Sequence, residues 1–468
     1  MSENERKQET AKKDQFWVGG EELLPKLPQV IGEAGGRSEE NDRKVEQALE
    51  EIRIRIGTLL KTDTVSLLLG AGASVECGGQ LIGSVPPDLE KALQTEGILE
   101  STNPRIRRWL ALFYLAIWGC GDHNSPTTRE AILKRRQEMN SPNPTVLTAN
   151  FEQVLAQLHQ WRAALPAVGG HLRIDGSLAI NAKAKDLDEA LQHATHALAK
   201  TCVLPVDGKE QGLVSYRTLI RELLTRPLNL KRVNLFTLNY DTLVEQAADA
   251  EGVVLLDGFV GTQRRLFRPE SYEQDLYFPA ETTEGCVHRF DRVLHLYKLH
   301  GSITWRRTEP TIDNPYGVQS ERFDPKTTDP LLIYPTPTKY GETLGLPYSE
   351  LFRRFAAAVV RPQSVLFVIG YGFGDEHVNA IIRQALAVPS FTLVIVDPDP
   401  KSEFVQVLKK QKDHRVWIAQ GPTLGTFSGF VGQLLPDLQD EQVRQKVIAT
   451  YRALSKDKPS QGGATDGD

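Results

Sequence analysis

Val65-Ser-Leu-Leu-Leu69 is a short apolar run that ends in glycine, the pattern of a strand buried on both faces. Runs at Arg232–Phe236, Val253–Leu256, Leu294–Leu299, Ser364–Ile369 and Phe391–Val396 read the same way. Between them the apolar spacing lengthens to helical, over Thr242–Ala250, Ser349–Val360 and Glu376–Leu386. Another helix is predicted over Val45–Leu60, where Val45, Leu49, Ile52 and Ile56 fall on one stripe. Strands alternating with helices imply an α/β fold with a mostly parallel sheet covered on both faces.

The stretch 88–226 breaks this alternation. Phe151, Val154, Leu155 and Leu158 keep helical spacing, as do Leu187, Leu191, Ala194 and Leu198, and Tyr216, Leu219, Ile220 and Leu223. It reads as a large helical insertion, which leaves 45–87 and 227–440 to form the sheet domain. Residues 1–44 are polar and read as a flexible arm with a docking segment at Phe16-Trp17-Val18. Phe404–Leu454 reads as mixed helices and a strand, and 456–468 as a disordered tail.

Composition narrows the function classes. A chain that is 40% hydrophobic and 25% charged is that of a globular protein, and no apolar run reaches bilayer length. The charged start, Met1–Gln15, lacks the apolar centre of a secretory signal, so a cytoplasmic location is expected. A net charge of −5 does not favour nucleic acid, and Lys134-Arg-Arg136 and Arg264-Arg265 read as solvated faces. Cys77, Cys120, Cys202 and Cys286 are scattered with no C-x-x-C pair, so neither a zinc ribbon nor a disulfide framework is indicated.

The candidate chemistry sits where the strands end, the usual ligand position in a doubly wound sheet. Gly70-Ala71-Gly72-Ala73-Ser74 permits a tight turn, and a helix following it would offer N–H groups to a pyrophosphate. A plain turn capped by Ser74 explains the same residues. Asn239, beyond the strand that ends near Phe236, can bind a ribose hydroxyl or orient a water. Asp241 can reach a ligand amide or cap the next helix, and both roles can hold together. Tyr240 reads as a pocket wall. His300, before Gly301-Ser302, has the side chain suited to a general base, although a lone loop histidine is more often structural. Gly370-Tyr-Gly372-Phe-Gly374-Asp375-Glu-His377-Val-Asn379 is a second glycine turn, in which Asp375 would cap the helix. Asp397-Pro-Asp399-Pro either binds a ribose hydroxyl or is a proline-defined turn.

In this order and combination the residues resemble a sirtuin-like domain, over roughly residues 55–400. Asp257-Gly-Phe-Val-Gly261, Ile333-Tyr-Pro-Thr-Pro337 with Lys339-Tyr340, and Tyr348-Ser-Glu-Leu-Phe352 resemble its bacterial, NAD-destroying branch. The resemblance implies a Rossmann-like sheet and an NAD site. Gly70, Ala71, Gly72 and Ser74 would hold the pyrophosphate and nicotinamide-ribose side. Asn239 and Asp241 would lie at the nicotinamide end, with His300 as base, and Gly370, Gly372 and Asp397 on the adenosine side. Two departures count against protein deacylation. The four-cysteine zinc module of the deacylating members is missing, and Cys77-Gly-Gly-Gln-Leu-Ile-Gly83 stands where they carry a Pro-Asp-Phe-Arg-like run.

The expected activity is therefore that of an NAD glycohydrolase, with NAD as substrate, no metal, and Asn239 and His300 as the catalytic pair. The resemblance also implies an abortive-infection effector in anti-phage defence. It would be held silent by self-assembly into a homo-oligomer or by a partner, a HerA-type ATPase ahead of an Argonaute. An ADP-ribosyltransferase, a zinc-free deacylase and a non-catalytic NAD- or ADP-ribose-binding scaffold are the alternatives.

Overall fold

The computed structural model describes residues 13–25, 39–81, 104–120, 151–174, 180–204, 211–278, 288–322, 330–332 and 346–437, with a few isolated positions besides. Ile333–Pro337 and Lys339-Tyr340 lie outside the described residues, as do Lys134–Arg136 and the 456–468 tail.

A nine-stranded sheet forms the body. Its order is Glu21–Glu22, Gln15–Val18, Val416–Gln420, Thr392–Val396, Ser364–Ile369, Thr64–Leu69, Asn234–Thr237, Val293–Lys298 and Val254–Leu256. From Val416–Gln420 to Val254–Leu256 every pairing is parallel. All six residues of Thr64–Leu69 and of Ser364–Ile369 are buried, which is why these runs show no alternation. The α/β expectation holds, and each strand predicted from the apolar runs is present with its ends moved by a residue or two.

The helix Glu39–Leu59 begins earlier than its apolar stripe. Its first turns are polar and carry the exposed Lys44–Glu40 pair, while Leu49, Ile52 and Ile56 enter the core on one face of the sheet. Residues expected as a flexible arm contribute to the sheet instead. Gln15–Val18 pairs antiparallel with Val416–Gln420, Phe16 is fully buried, and the Asp14 carboxylate accepts from Thr423 and Leu424 N–H at 2.8 and 3.0 Å. The Phe16–Val18 segment thus docks on this chain's own sheet edge.

Within 88–226 the described helices are Pro104–Cys120, Phe151–Ala164, Ala184–Thr201 and Gln211–Leu224, with a two-stranded ribbon, Leu172–Ile174 and Ile180–Ala182, between two of them. The first three share a core of their own, into which Tyr240 and Ile303 of the body reach. Gln211–Leu224 differs. Its Leu213, Tyr216, Leu219, Ile220 and Leu223 pack in the core of the main sheet, as Leu204 does.

Not anticipated was a five-stranded antiparallel sheet, ordered Pro330–Leu332, Gly301–Arg307, Val318–Ser320, Arg265–Phe267 and Phe259–Val260. Gly301, at φ 90°, turns the chain out of the Val293–Lys298 strand and into this second sheet. His300 stands at that junction.

Candidate functional site

Thr64–Leu69 and Ser364–Ile369 lie side by side, and the chain leaves them in opposite directions. The first leads to Asn234–Thr237 on one flank and the second to Thr392–Val396 on the other. This is the topological switch point of the sheet, where the two turns diverge and leave a crevice. A cavity of about 350 Å³ opens there, lined by Gly70, Ala71, Ser74, Asn239, Asp241, His300, Gly370 and Gly372 among others. Eight of the ten residues expected from sequence therefore share one space.

The other two do not line it. Gly72 lies beneath the cavity, where an added Cβ would stand 2.7 Å from the Gly370 Cα. Asp397 turns back on its own loop, its Oδ1 accepting from the Asp399 N–H at 2.8 Å. The proline-defined turn is the reading that the geometry supports for Asp397.

The first glycine turn also departs from expectation. Ala71–Cys77 is a 3-10 helix of seven residues with no side-chain cap. The Gly70 N–H donates to Ile369 O at 2.9 Å, Gly72 N–H to Gly370 O at 2.8 Å and Ala73 N–H to Gly70 O at 3.0 Å. Donors expected to face a pyrophosphate are thus held by the backbone. Ser74 is not a cap either. Its Oγ lies 2.7 Å from Asp241 Oδ2 and 2.9 Å from Asn239 Nδ2.

These contacts fix one another's direction. The Asn239 amide nitrogen faces Gly70 O at 2.9 Å, and a carbonyl only accepts, so the NH₂ end must point there. Its second hydrogen goes to Ser74 Oγ, which in turn donates to the Asp241 carboxylate. Asn239 Oδ1 is left as the acceptor end of a pinned amide. Asp241 Oδ1 accepts from Leu243 N–H at 3.1 Å, so the residue serves the next helix and the cavity together. Lys298 Nζ donates to Asp241 O and lies 2.9 Å from Glu245 Oε1. Burial pushes the Glu245 carboxyl above its ordinary value, with Lys298 opposing the shift.

On the opposite wall His300 Nε2 lies 3.0 Å from Asp375 Oδ2, with both side chains at most 5% exposed. Asp375 also caps the helix Glu376–Leu386 as expected, its Oδ1 accepting from His377 and Val378 N–H. The pairing with His300 was not legible, since nothing in the sequence ties residue 300 to residue 375. Nor was the insertion's share of the lining, which comes from Leu198, Thr201, Cys202 and Leu204. Burial and then the Asp241 charge push the Cys202 thiol up to about 12, and the same two causes raise the Tyr216 phenol well above its usual value. Tyr240 lines the cavity as expected.

Residues 233–418 match the family model of the SIR2-like domain. No curated protein matches the chain. Among solved structures, a mutant Sir2 homologue in complex with ADP-ribose is 12% identical, over 77% of this chain and 95% of that one, at a TM-score of 0.27. A Sir2 homologue–NAD complex is 14% identical, over 77% and 92%, at 0.29. The matched stretch 233–418 contains Asn239, Asp241, His300, Gly370, Gly372 and Asp375, whereas the Gly70–Ser74 turn that meets them in the cavity lies outside it.

Proposed function

We propose that the cavity binds NAD and hydrolyses its nicotinamide–ribose bond to give nicotinamide and ADP-ribose. The observation that carries this reading is the convergence of a pinned asparagine amide and a buried His–Asp pair on one cavity at the switch point. The SIR2-like match supports the choice of NAD as substrate.

The bond from ribose C1′ to the pyridinium nitrogen breaks, and its electron pair goes to that nitrogen, so nicotinamide leaves neutral. Positive charge develops on the ribose, where the Asp241 carboxylate stabilises it. Asn239 Oδ1 accepts a hydrogen bond from a water and turns that water's lone pair toward C1′. The new C1′–O bond forms as His300 takes the water's proton, which then passes to solvent. Asn239 and His300 are the catalytic residues of this scheme, and no step draws on Asp397.

Such an enzyme, always active, would exhaust the cell's NAD. The resemblance therefore extends the proposal to an anti-phage effector, restrained by self-assembly or by a HerA-type ATPase until triggered.

The test is NAD consumption by the purified full chain, alone over a range of concentrations and with the candidate partner, with products separated by chromatography. Equal amounts of nicotinamide and free ADP-ribose are expected. Asn239→Ala and His300→Ala should each lower the rate by about 100-fold or more. ADP-ribose found on protein instead of free would make the chain a transferase. NAD bound but intact in every sample would make it a scaffold.

A further inference from the structure

From its sequence context Asp375 has one task, capping a helix. Its surroundings point to a second, which rests on the reading of His300 as the base. Asp375 Oδ1 takes two backbone N–H groups, His377 at 2.9 Å and Val378 at 3.4 Å, so this oxygen serves the cap as an acceptor. Oδ2 then faces His300 Nε2 at 3.0 Å as an acceptor only. The backbone of Asp375 is held as firmly. Its N–H donates to the Tyr371 hydroxyl at 2.9 Å, and that hydroxyl donates to Asp375 O at 3.1 Å. Asn379 Nδ2 holds the turn from below by donating to Phe373 O at 2.9 Å.

We propose that Asp375 is the positioning residue for His300. By accepting from Nε2–H it fixes the tautomer in which Nδ1 carries the basic lone pair. The motif Gly370–Asn379 thereby has a role in the reaction besides lining the cavity.

The other groups around His300 are consistent with this. The Tyr240 and Phe352 rings stand 6.5 and 6.3 Å away, and His377 sits edge-on to Phe352 at 4.5 Å. Asp241 is the second carboxylate lining the cavity. Asp375 Oδ2 stands at hydrogen-bond distance from the Nε2 atom.

Asp375→Asn separates the two tasks. The amide keeps an oxygen for the helix cap, but its NH₂ replaces Oδ2 and donates to Nε2. His300 must then place its proton on Nδ1, and Nδ1 no longer carries a lone pair that can act as base. The full chain, with ¹⁵N-labelled histidine, is read by two-bond ¹H–¹⁵N spectra, and the His300 signal is assigned with His300→Gln. Wild type should show neutral His300 as Nε2–H, and Asp375→Asn as Nδ1–H. In the same variant kcat should fall by about 100-fold with KM for NAD and the unfolding midpoint nearly unchanged.

An Nδ1–H tautomer in wild type, or a tautomer that does not change in Asp375→Asn, would overturn the proposal. Because the spectra need no turnover, the expected tautomers in a chain that leaves NAD intact would sink the hydrolase reading and leave the positioning geometry standing. A loss of kcat in Asp375→Asn that came with a lowered unfolding midpoint would assign Asp375 to the cap alone.

Discussion

Gly70 and Gly372 occupy turns that follow adjacent strands of one sheet. A methyl group added to the first would stand 2.5 Å from Gly370 O, whereas one added to the second would meet nothing within 4 Å. Gly374 is as open as Gly372. The first turn uses its glycines to let two chain segments touch. The second turn, past Gly370, leaves its glycines facing the cavity. A glycine after a buried strand thus has two separate physical causes, close approach of chain to chain and close approach of ligand to chain. The sequence pattern is the same for both.

Gly370, though it sits in the second turn, belongs to the chain-to-chain set. It adopts φ 65°, and an added Cβ would lie 2.5 Å from Ala73 N. Left-handed strain of about 1–3 kcal/mol adds to overpacking of about 1–3 kcal/mol. Gly370→Ala should therefore lose roughly 2–6 kcal/mol of stability, seen as a lower midpoint in urea. An unchanged midpoint would mean that the two turns can part without loss, and the contrast between them would fall.

Ser74 sharpens the contrast from the other side, because it is the one polar side chain of the first turn that reaches the cavity network. Ser74→Ala leaves Asp241 Oδ2 and one Asn239 hydrogen without the partner they have now. A buried polar group left unsatisfied destabilises by about 1–3 kcal/mol. The Asn239 amide also loses what fixes its second hydrogen, so kcat should fall more than KM rises. An activity loss carried wholly by KM would instead assign Ser74 to substrate binding.

How far the sequence could be read follows the same division. Runs such as Ser364–Ile369 were legible because burial on both faces removes alternation, and burial is local in sequence. The meeting of Asn239, His300 and the glycine turns was legible because parallel strands bring all their ends to one edge. What was not legible depends on pairs far apart in the chain. His300 meets Asp375, Ser74 meets Asp241, and Gln15–Val18 joins Val416–Gln420 across the whole length of the protein. Asp397 stayed open between two readings for a related reason. An acidic residue after a strand looks the same whether it reaches a ligand or, as here, its own turn. The strand Gly301–Arg307 does alternate polar and apolar, in Ser302-Ile-Thr-Trp-Arg306, but the other strands of its sheet are only two or three residues long, too short to show a period of their own.

Gly372→Ala is the smallest and most discriminating change. The residue does not occupy the left-handed region, and open space surrounds the place a methyl would take. Stability should shift by no more than about 0.5 kcal/mol, with a slight gain possible because alanine narrows the unfolded ensemble. If the turn faces bound NAD, the methyl occupies volume the ligand needs, and one misplaced methylene is worth about 1–3 kcal/mol. KM should then rise roughly tenfold or more, since 1.4 kcal/mol is a factor of ten, with kcat little changed. An unchanged KM would show that the ligand passes elsewhere and that Gly372 is open to solvent only. A collapse in stability would show that both turns use their glycines for packing, and a glycine's freedom would then say nothing here about where a ligand lies.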